Sequence, residues 1–328
     1  MKIKRVFVVL ILLFCCNVAN SMTFDKLILT LGSDDEKIHK DNYKVCDIFK
    51  PKDAVIYNNY IYVLDGNDCF IYYFDMQGNF KGKFGGMGGG PKELYSPENM
   101  EMVGEDLWVT DFNNNRIQIY HNHIHKRSIK FRDMSKLARP REIGELDGNI
   151  FISSVTISPK ITGITVLNEK GVFKRRIMVS SMLFPNTRFT PWFTAKLQVL
   201  SNKQLLVGYK YLPIIVLIDK DINKIRYVDM SEYYTKHESK DKVKNKFIVP
   251  SGYTATTFSS GPKNTILIAA CNNSKRRCNR VMQFSSDLSK KINEIVTDYH
   301  IWDMEYYPKK DLIVLITGDR EVKFYEIH

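Results

Sequence analysis

Short apolar segments occur in pairs along this chain, with a polar turn between the two members of each pair. The clearest pair is 60–65 followed by 69–75, and the next is 107–111 followed by 116–120. Further first segments begin at Ile150, Leu205, Ile266 and Leu312, so that successive pairs are 43 to 61 residues apart. A repeat of about this length is typical of β-propeller blades arranged around an axis.

The segments read as strands because they are rich in Val, Ile, Tyr and Phe and are bounded by Gly, Asn, Asp and Lys. A propeller blade needs four antiparallel strands, ordered from the channel outward. We predict the strands of the first two blades as follows: 54–57, 60–64, 70–74 and 80–84, then 100–103, 107–110, 117–120 and 128–131.

The last repeat is incomplete, because it offers only the strands 304–307, 312–316 and 322–327 before the chain stops. A blade without its outer strand would leave an open edge of unpaired backbone groups. Residues 24–31 have the composition of a strand and belong to no other blade. The sequence therefore predicts an all-β, six-bladed β-propeller formed as a single domain by residues 22–328, in which the segment 22–35 supplies the closing outer strand.

Residues 1–21 have the features of a signal peptide. Lys2, Lys4 and Arg5 precede an apolar segment that is too short to span a bilayer, and small residues precede a cleavage point before Met22. The alternative is a lipoprotein acylated at Cys16. Both predict an exported protein, periplasmic or associated with the cell envelope, and no later segment is long and apolar enough to span a membrane.

The chain is basic, with a formal net charge of +12 that loss of the leader would lower by three. The basic residues are scattered over predicted turns, which favours either an ordinary solvated surface or one that attracts acidic glycans or anionic lipids. Nucleic acid is not an expected partner, because no stripe of interleaved aromatic and basic residues is present.

Four cysteines follow the predicted cleavage point: Cys46, Cys69, Cys271 and Cys278. An even number in an exported protein favours disulfides. Cys271 and Cys278 flank a polar hairpin loop, which could place their β-carbons opposite each other across two strands. A bridge between Cys46 and Cys69 is a second candidate, and free buried thiols are the alternative to both.

One stretch resembles a known group of propellers. Residues 84–94 form a glycine-rich linker with Gly-Pro-x-Glu, and residues 107–117 form a strand that ends in Asp, followed by an Asn-rich turn with Arg. This pattern resembles the blade junction of the exported six-bladed β-propellers called NHL-like or TolB-like. The resemblance implies the fold and export, and it leaves function open because such groups include both enzymes and binding modules.

Three motifs could carry chemistry, but their spacing favours structural roles. The glycine run 85–90 lacks the G-x-G-x-x-G spacing and precedes a strand, so it is expected to link two blades. Asp111 opens a D-x-N-x-N pattern that fails as a calcium loop where Arg116 replaces glycine. His121, His123 and His125 alternate in the sequence, so on a strand they would share one face and could bind zinc. They fall, however, where a turn is expected.

The channel mouth is the expected binding site, because loops at the starts of the innermost strands carry ligands in such scaffolds. Our register places nine residues there: Asp53, Glu98, Asn99, Arg141, Glu142, Trp192, Tyr253, Trp302 and Asp303. Aromatic, acidic, amide and Arg side chains together are typical of sites for carbohydrate or peptide.

The sequence thus predicts a monomeric binding or scaffold module for an extracytoplasmic protein, peptide or glycan, acidic ligands included. No catalytic residue, metal or cofactor is expected. The alternative is a lyase or a metal-dependent, lactonase-type hydrolase with an ion in the channel, for which Glu98, Asn99 and Asp303 are the candidate ligands. Gluconolactonase-like propellers carry an early Glu-Gly-Pro, whereas this chain has Lys52-Asp53-Ala54.

Overall fold

A computed structural model shows six sheets of four or five strands arranged as a ring, each with four antiparallel strands. It describes residues 22–33, 42–131, 138–156, 163–177, 195–200, 202–209, 214–221, 224–230, 233, 255–272 and 277–327. The predicted six-bladed β-propeller is confirmed. The signal peptide predicted for residues 1–21, with Cys16, lies outside the described residues and stays a prediction.

The blades are numbered in chain order, and each is given from the channel outward. Blade one contains β3 to β6, which are Pro51–Tyr57, Tyr60–Asp65, Phe70–Asp75 and Phe80–Gly85. Blade two contains β7 to β10, which are Pro97–Val103, Asp106–Asp111, Arg116–His121 and Ile124–Lys130. Blade three contains β11 to β14, which are Ala138–Leu146, Asn149–Thr156, Ile164–Asn168 and Phe173–Ile177.

The other three blades follow the same order. Blade four contains β15 to β18, which are Ala195–Val199, Gln204–Tyr209, Ile214–Asp219 and Ile225–Asp229. Blade five contains β19 to β22, which are Ala255–Gly261, Thr265–Asn272, Arg277–Phe284 and Lys291–Val296. Blade six contains β23 to β25, then β1 and β2, which are Ile301–Tyr307, Leu312–Thr317, Val322–Ile327, Phe24–Gly32 and Tyr43–Val45.

The N-terminal strand closes the ring as predicted. β1 pairs antiparallel with β25, with Leu31 opposite Val322, and the ring of Phe24 stacks on Tyr325 at 5.2 Å. The short strand β2 then adds a parallel fifth strand to blade six. This fifth strand was not predicted, because three residues are too few to give a strand periodicity.

The observed inner strands start earlier than predicted. β3 begins at Pro51 and β7 at Pro97, and both strands are interrupted by an irregularity in pairing within their first residues. Such bulges break the alternation of apolar and polar residues on which the prediction rested. The outer strand β10 likewise begins at Ile124, earlier than the predicted start at Ser128.

The hydrophobic cores lie between neighbouring blades. Trp108 of blade two is 1% exposed and packs in one cluster with Ile143 and Ile152 of blade three. Equivalent clusters join the other blades, including one that joins blade six to blade one through Leu31 and Ile61. Each blade thus buries its apolar faces only against its neighbours, which leaves the central channel free for polar side chains.

No helix in the described part of the chain is long and apolar enough to cross a membrane.

Candidate functional site

The six inner strands each place one polar side chain at an equivalent level of the central channel. We call these residues the channel ring; they are Asp53, Asn99, Glu142, Lys196, Thr257 and Asp303. A pairing irregularity stands immediately before or at the ring residue in five of the six inner strands. All six line a central cavity of about 170 Å³. The bulges therefore turn a polar side chain toward the axis in almost every blade.

Asp53 and Asn99 join the inner strands of successive blades. Asn99 donates from Nδ2 to Asp53 Oδ2 at 2.8 Å, and the backbone N–H of Met100 donates to the same oxygen at 2.7 Å. Asn99 in turn accepts at Oδ1 from the backbone N–H of Ile143 at 2.8 Å. These two residues satisfy backbone donors that adjacent inner strands leave unpaired, which is a structural role.

Lys196 crosses the channel from blade four to carboxylates on two other blades. Its Nζ lies 2.9 Å from Asp303 Oδ2 of blade six and 3.2 Å from Glu142 Oε2 of blade three. Asp303 also accepts from Thr257 Oγ1 at 2.5 Å. The Lys196 ammonium thus links blade four to blade three, its neighbour, and to blade six, which is not its neighbour.

Burial sets the protonation of the ring. It raises the pKa of Asp53 to about 8, with Asp303 acting in the same direction and Lys196 in the opposite one. It raises the pKa of Glu142 to about 7, although Lys196 counteracts the increase. Burial disfavours the charge on Lys196, but the surrounding carboxylates, Asp303 foremost, raise its pKa above its ordinary value. Near neutral pH the ring therefore holds one firm cation, Lys196, while Asp53 and Glu142 have pKa values close to neutrality.

A second acidic layer lies deeper in the channel. Burial raises the pKa of Glu101 to about 8, and Asp53 adds to the increase. Burial also raises the pKa of Glu305 well above its ordinary value, and Gln198 donates to this side chain at 3.4 Å. Because burial disfavours the charged form and the neighbouring carboxyls add to that effect, the neutral acid is the favoured form of Glu101 and Glu305 near neutral pH.

The channel opens into a wider mouth near the starts of the inner strands. This cavity has a volume of about 520 Å³, and its polar rim includes Lys52, Glu98 and Arg141. Glu98 lies 3.3 Å from Lys52 Nζ and 3.6 Å from Arg141 Nη2. Two aromatic side chains on the same cavity, Phe49 and Trp302, are each 45% exposed. The mouth is large enough for a small ligand or for part of a larger one.

The predicted site residues fall into three groups. Four belong to the channel ring: Asp53, Asn99, Glu142 and Asp303. Three line the mouth: Glu98, Arg141 and Trp302. Trp192 and Tyr253 lie outside the described residues. The structure therefore brings seven of the predicted residues together around one axis.

Sequence reasoning missed Lys196 and Thr257 of the ring, and Phe49, Lys50 and Arg320 of the mouth. Repeat spacing could have found the first two, because ring residues follow one another at the 43-to-61-residue intervals of the strand pairs. The mouth residues lie in loops, and the hydrophobic periodicity of a sequence does not predict where the side chains of a loop point.

The described residues do not fit a channel metal site. No three of their His, Cys, Asp and Glu side chains are grouped so that they could hold an ion. The proposed ligands are bound elsewhere: Glu98 to Lys52 and Arg141, and Asp303 to Lys196. Because the Lys196 ammonium lies between two carboxylates, it takes the place that a divalent cation would need.

The other motifs have structural partners. Arg116 Nε donates to Asp111 Oδ2 at 2.6 Å, and Arg116 Nη2 donates to the carbonyl oxygens of Gly90 and Glu93, so that Arg116 joins Asp111 to the glycine-rich linker. His123 occupies the predicted turn between β9 and β10. The structure joins Cys271 to Cys278 by a disulfide.

The histidines flanking that turn do not converge on one point. His121 Nδ1 lies 2.9 Å from Asp106 Oδ1, whereas His125 Nε2 lies 2.9 Å from Gln118 Oε1. The three alternating histidines thus have separate partners instead of a common ligand.

Structural comparisons show the fold. A protein of Bacteroides fragilis, described as exported, superposes with a TM-score of 0.62 at 12% identity, covering 95% of this chain and 96% of its own. A Bacteroides thetaiotaomicron protein of unknown function has a TM-score of 0.58 at 8% identity, covering 94% and 76%. Virginiamycin B lyase of Staphylococcus aureus has a TM-score of 0.52 at 12% identity, covering 84% of each chain.

No protein-family model and no curated protein sequence matches the chain.

Proposed function

We propose that the protein is an exported binding module that takes an anionic group of an extracytoplasmic peptide or glycan at the channel mouth. The observation that carries this proposal is the composition of the mouth. Its described lining contains five basic side chains against three acidic ones, and it also exposes two aromatic rings.

The charge excess is located at the rim. The ion pairs at the mouth account for all three acids, because Glu98 is held by Lys52 and Arg141 while Glu142 and Asp303 share Lys196. Lys50 and Arg320 therefore add positive charge that no acid lining the described mouth offsets. A concave surface with such an excess attracts an anionic ligand and raises its local concentration.

The exposed aromatic rings provide the apolar half of a binding site. Phe49 and Trp302 lie on the mouth cavity, and Trp302 contacts the ring of His300 at 4.2 Å. Exposed, rigid aromatic side chains bury large areas on binding at a low cost in conformational entropy. Together with Arg141 they suit a sugar ring or a peptide side chain that carries a carboxylate next to an apolar face.

Export has support of two kinds. Residues 1–21 have the composition of a signal peptide, and the Bacteroides fragilis protein of similar fold is described as exported. We place the protein in the periplasm or at the cell envelope, as a monomer.

A lyase is the second candidate, because the channel holds carboxyl groups whose pKa values are near neutrality and which could exchange a proton with a substrate. The Staphylococcus aureus lyase is inactive when one of its histidines is replaced by alanine. No histidine lines the mouth or the channel among the described residues. Lys196 also holds Glu142 in an ion pair, which makes this carboxylate a poor general base.

The test measures binding of trigalacturonate and of a hexaglutamate peptide to the purified mature chain by calorimetry, beside neutral cellotriose. We expect one of the two anionic probes to bind, and about tenfold weaker binding in Arg320→Glu and Lys50→Glu. Lys203→Glu is the matched control, because it reverses a basic side chain outside the mouth.

The proposal fails if neither anionic probe binds, or if Lys203→Glu weakens binding as much as Arg320→Glu does. It also fails if the protein consumes a probe and the glutamine variant at Glu142 abolishes that reaction, which would support the lyase.

A further inference from the structure

A second cavity lies on the face of the propeller opposite the mouth. It is formed where β3 turns into β4 and where β9 turns into β10, at the far ends of strands that begin or end at the mouth. Its volume is about 100 Å³, and most of its wall is aromatic: Tyr57, Tyr60, Tyr62, Phe84, Tyr120 and His123.

The aromatic rings form two walls at nearly a right angle. His123 stacks at 13° on Tyr73, a ring outside the cavity lining, and Tyr62 is tilted by 26° to Tyr73 and by 40° to His123. Tyr60 stands across this stack at 79° to Tyr73 and 90° to His123, with its centroid about 6 Å from each. Perpendicular ring faces around a small space are the geometry of an aromatic cage.

His123 is held in the cage in its neutral form. Its Nε2 lies 3.0 Å from the hydroxyl of Tyr62, and its ring stacks on Tyr73 at 4.0 Å. Burial lowers the pKa of His123, so that the ring carries no charge near neutral pH. Its backbone has a φ of 69°, a conformation that glycine or asparagine would adopt at lower cost.

The charge of the cavity is opposite to that of the mouth. Glu105 is the one acidic residue on the described lining, and that lining contains neither Lys nor Arg, although the chain as a whole carries a net charge of +12. The negative faces of the aromatic rings and the carboxylate both favour a cation.

We propose that this cage binds a quaternary ammonium group, such as the trimethylammonium end of choline. The cavity is too small for a whole drug-sized ligand and suits a single compact group. A quaternary ammonium fits better than a lysine ammonium, because the latter is strongly hydrated and the cavity offers one carboxylate to replace its water. This site is independent of the function proposed for the mouth.

The experiment titrates choline into the mature chain by calorimetry and compares it with 3,3-dimethyl-1-butanol, which has the same shape without the charge. We expect choline to bind at least about tenfold more tightly than the neutral alcohol. We also expect Tyr60→Ala to lose most of the affinity, Tyr60→Phe to retain it, and Glu105→Gln to weaken it severalfold. Tyr95→Ala is the matched control, because Tyr95 is an exposed tyrosine, 50% accessible, outside the cavity.

Equal affinity for choline and the neutral alcohol would overturn the proposal, as would the absence of choline binding or an equal loss in Tyr95→Ala. Once choline binding is established, sedimentation with phosphatidylcholine vesicles, beside phosphatidylglycerol vesicles, separates two sources of the group. Retention on the choline vesicles alone would assign a lipid headgroup, and lack of retention would assign a free amine. The circular dichroism spectrum of each variant shows whether it is folded.

Discussion

Lys196 and Asp303 are 107 residues apart in the chain and lie on blades that are not neighbours, yet Lys196 Nζ donates to Asp303 Oδ2 at 2.9 Å across the central channel. The same ammonium lies 3.2 Å from Glu142. Apolar packing joins each blade to its neighbours, whereas this contact, like the hydrogen bond from Gln198 to Glu305, directly links two blades that are not neighbours. The free-energy cost of removing these three charged groups from water and the attraction between them are both large, because all three groups lie within the channel.

Removing the ammonium should therefore destabilise the fold. Lys196→Met keeps the apolar stem of the side chain but leaves Glu142 and Asp303 without their counter-ion, and we expect a loss of about 3 kcal/mol in the free energy of unfolding. Urea unfolding at pH 8 measures it. Lys203→Met is the control, because Lys203 pairs with Asp147 at the exposed surface, where we expect less than about 1 kcal/mol.

A double-mutant cycle separates the ion pair from simple packing. In the Lys196→Met background, Asp303→Asn should cost less than it does in the wild-type chain, because it then removes a charge that has already lost its partner. If the losses of the two single variants simply add in the double variant, the ion pair between Lys196 and Asp303 does not itself stabilise the fold.

The acidic layer of the channel should make stability depend on pH. Burial, with Asp53 as the next contributor, raises the pKa of Glu101 from an ordinary 4.5 to about 8. The folded protein thus keeps a proton that the unfolded chain releases, so the contribution of Glu101 is complete below pH 4.5 and is lost as the pH rises toward 8. The expected slope is about 1.4 kcal/mol per pH unit for such a group.

Glu101→Gln should remove this slope and stabilise the protein at pH 8 by about 4 kcal/mol, while it changes little at pH 5. Urea unfolding at several pH values is the measurement. Glu105→Gln, at an exposed position four residues along, should leave the pH profile unaltered. If both variants had the wild-type profile, Glu101 would be solvated and its pKa ordinary.

The sequence predicted the blades well and the channel only in part. The strands β4 and β5 were predicted within one residue at each end, because apolar residues on both faces leave an unmistakable pattern between Gly and Asn turns. Lys196 was missed because a charged residue in a strand of the channel looks, in one sequence, like a residue on the solvent side. Which residues meet across the axis depends on ring closure, which no local pattern reports.

The cavity on the face opposite the mouth was also not predicted from the sequence. The turn at His123 was predicted, but the aromatic cage around it was not, because Tyr60 and Tyr73 lie on the paired strands β4 and β5 of blade one whereas His123 belongs to blade two. Alternating tyrosines are common in strands, and the contact between the two blades is what brings His123 to them.

The link between Asp111 and Arg116 should fix the glycine-rich junction between blades one and two. Arg116 donates to Asp111 and to the carbonyl oxygens of Gly90 and Glu93. Arg116→Met would leave the fully buried Asp111 carboxylate without its cation, and we expect a loss of about 2–4 kcal/mol, read from thermal unfolding. Arg139→Met is the control, because Arg139 donates to Asn113 at the exposed surface. Equal losses in the two variants would contradict an anchoring role.

The disulfide between Cys271 and Cys278 should stabilise blade five. The bond closes a short loop, for which the loss of unfolded-state entropy predicts about 2 kcal/mol. Replacing both cysteines by alanine should lower the free energy of unfolding by that amount, and added reductant should destabilise the wild type but not the variant. Peptide mapping without reduction should recover a linked 271–278 pair, with Cys46 and Cys69 as thiols. Recovery of all four as thiols would refute the bond in the native protein.

Closure of the ring by the N-terminal strand gives the last prediction. Leu31 is fully buried and pairs with Val322 of blade six, in a cluster that extends to blade one. Leu31→Ala should lower the free energy of unfolding by about 2–4 kcal/mol, because it leaves a cavity where the two ends of the chain meet. Val45→Ala, at an exposed position of β2, should have less than about 0.5 kcal/mol of effect. Hydrogen exchange locates the change: if β1 closes the ring, amide protection in β25 falls more than in β8 of blade two, and a uniform fall would instead mean that β1 is merely one more strand of a single cooperative unit.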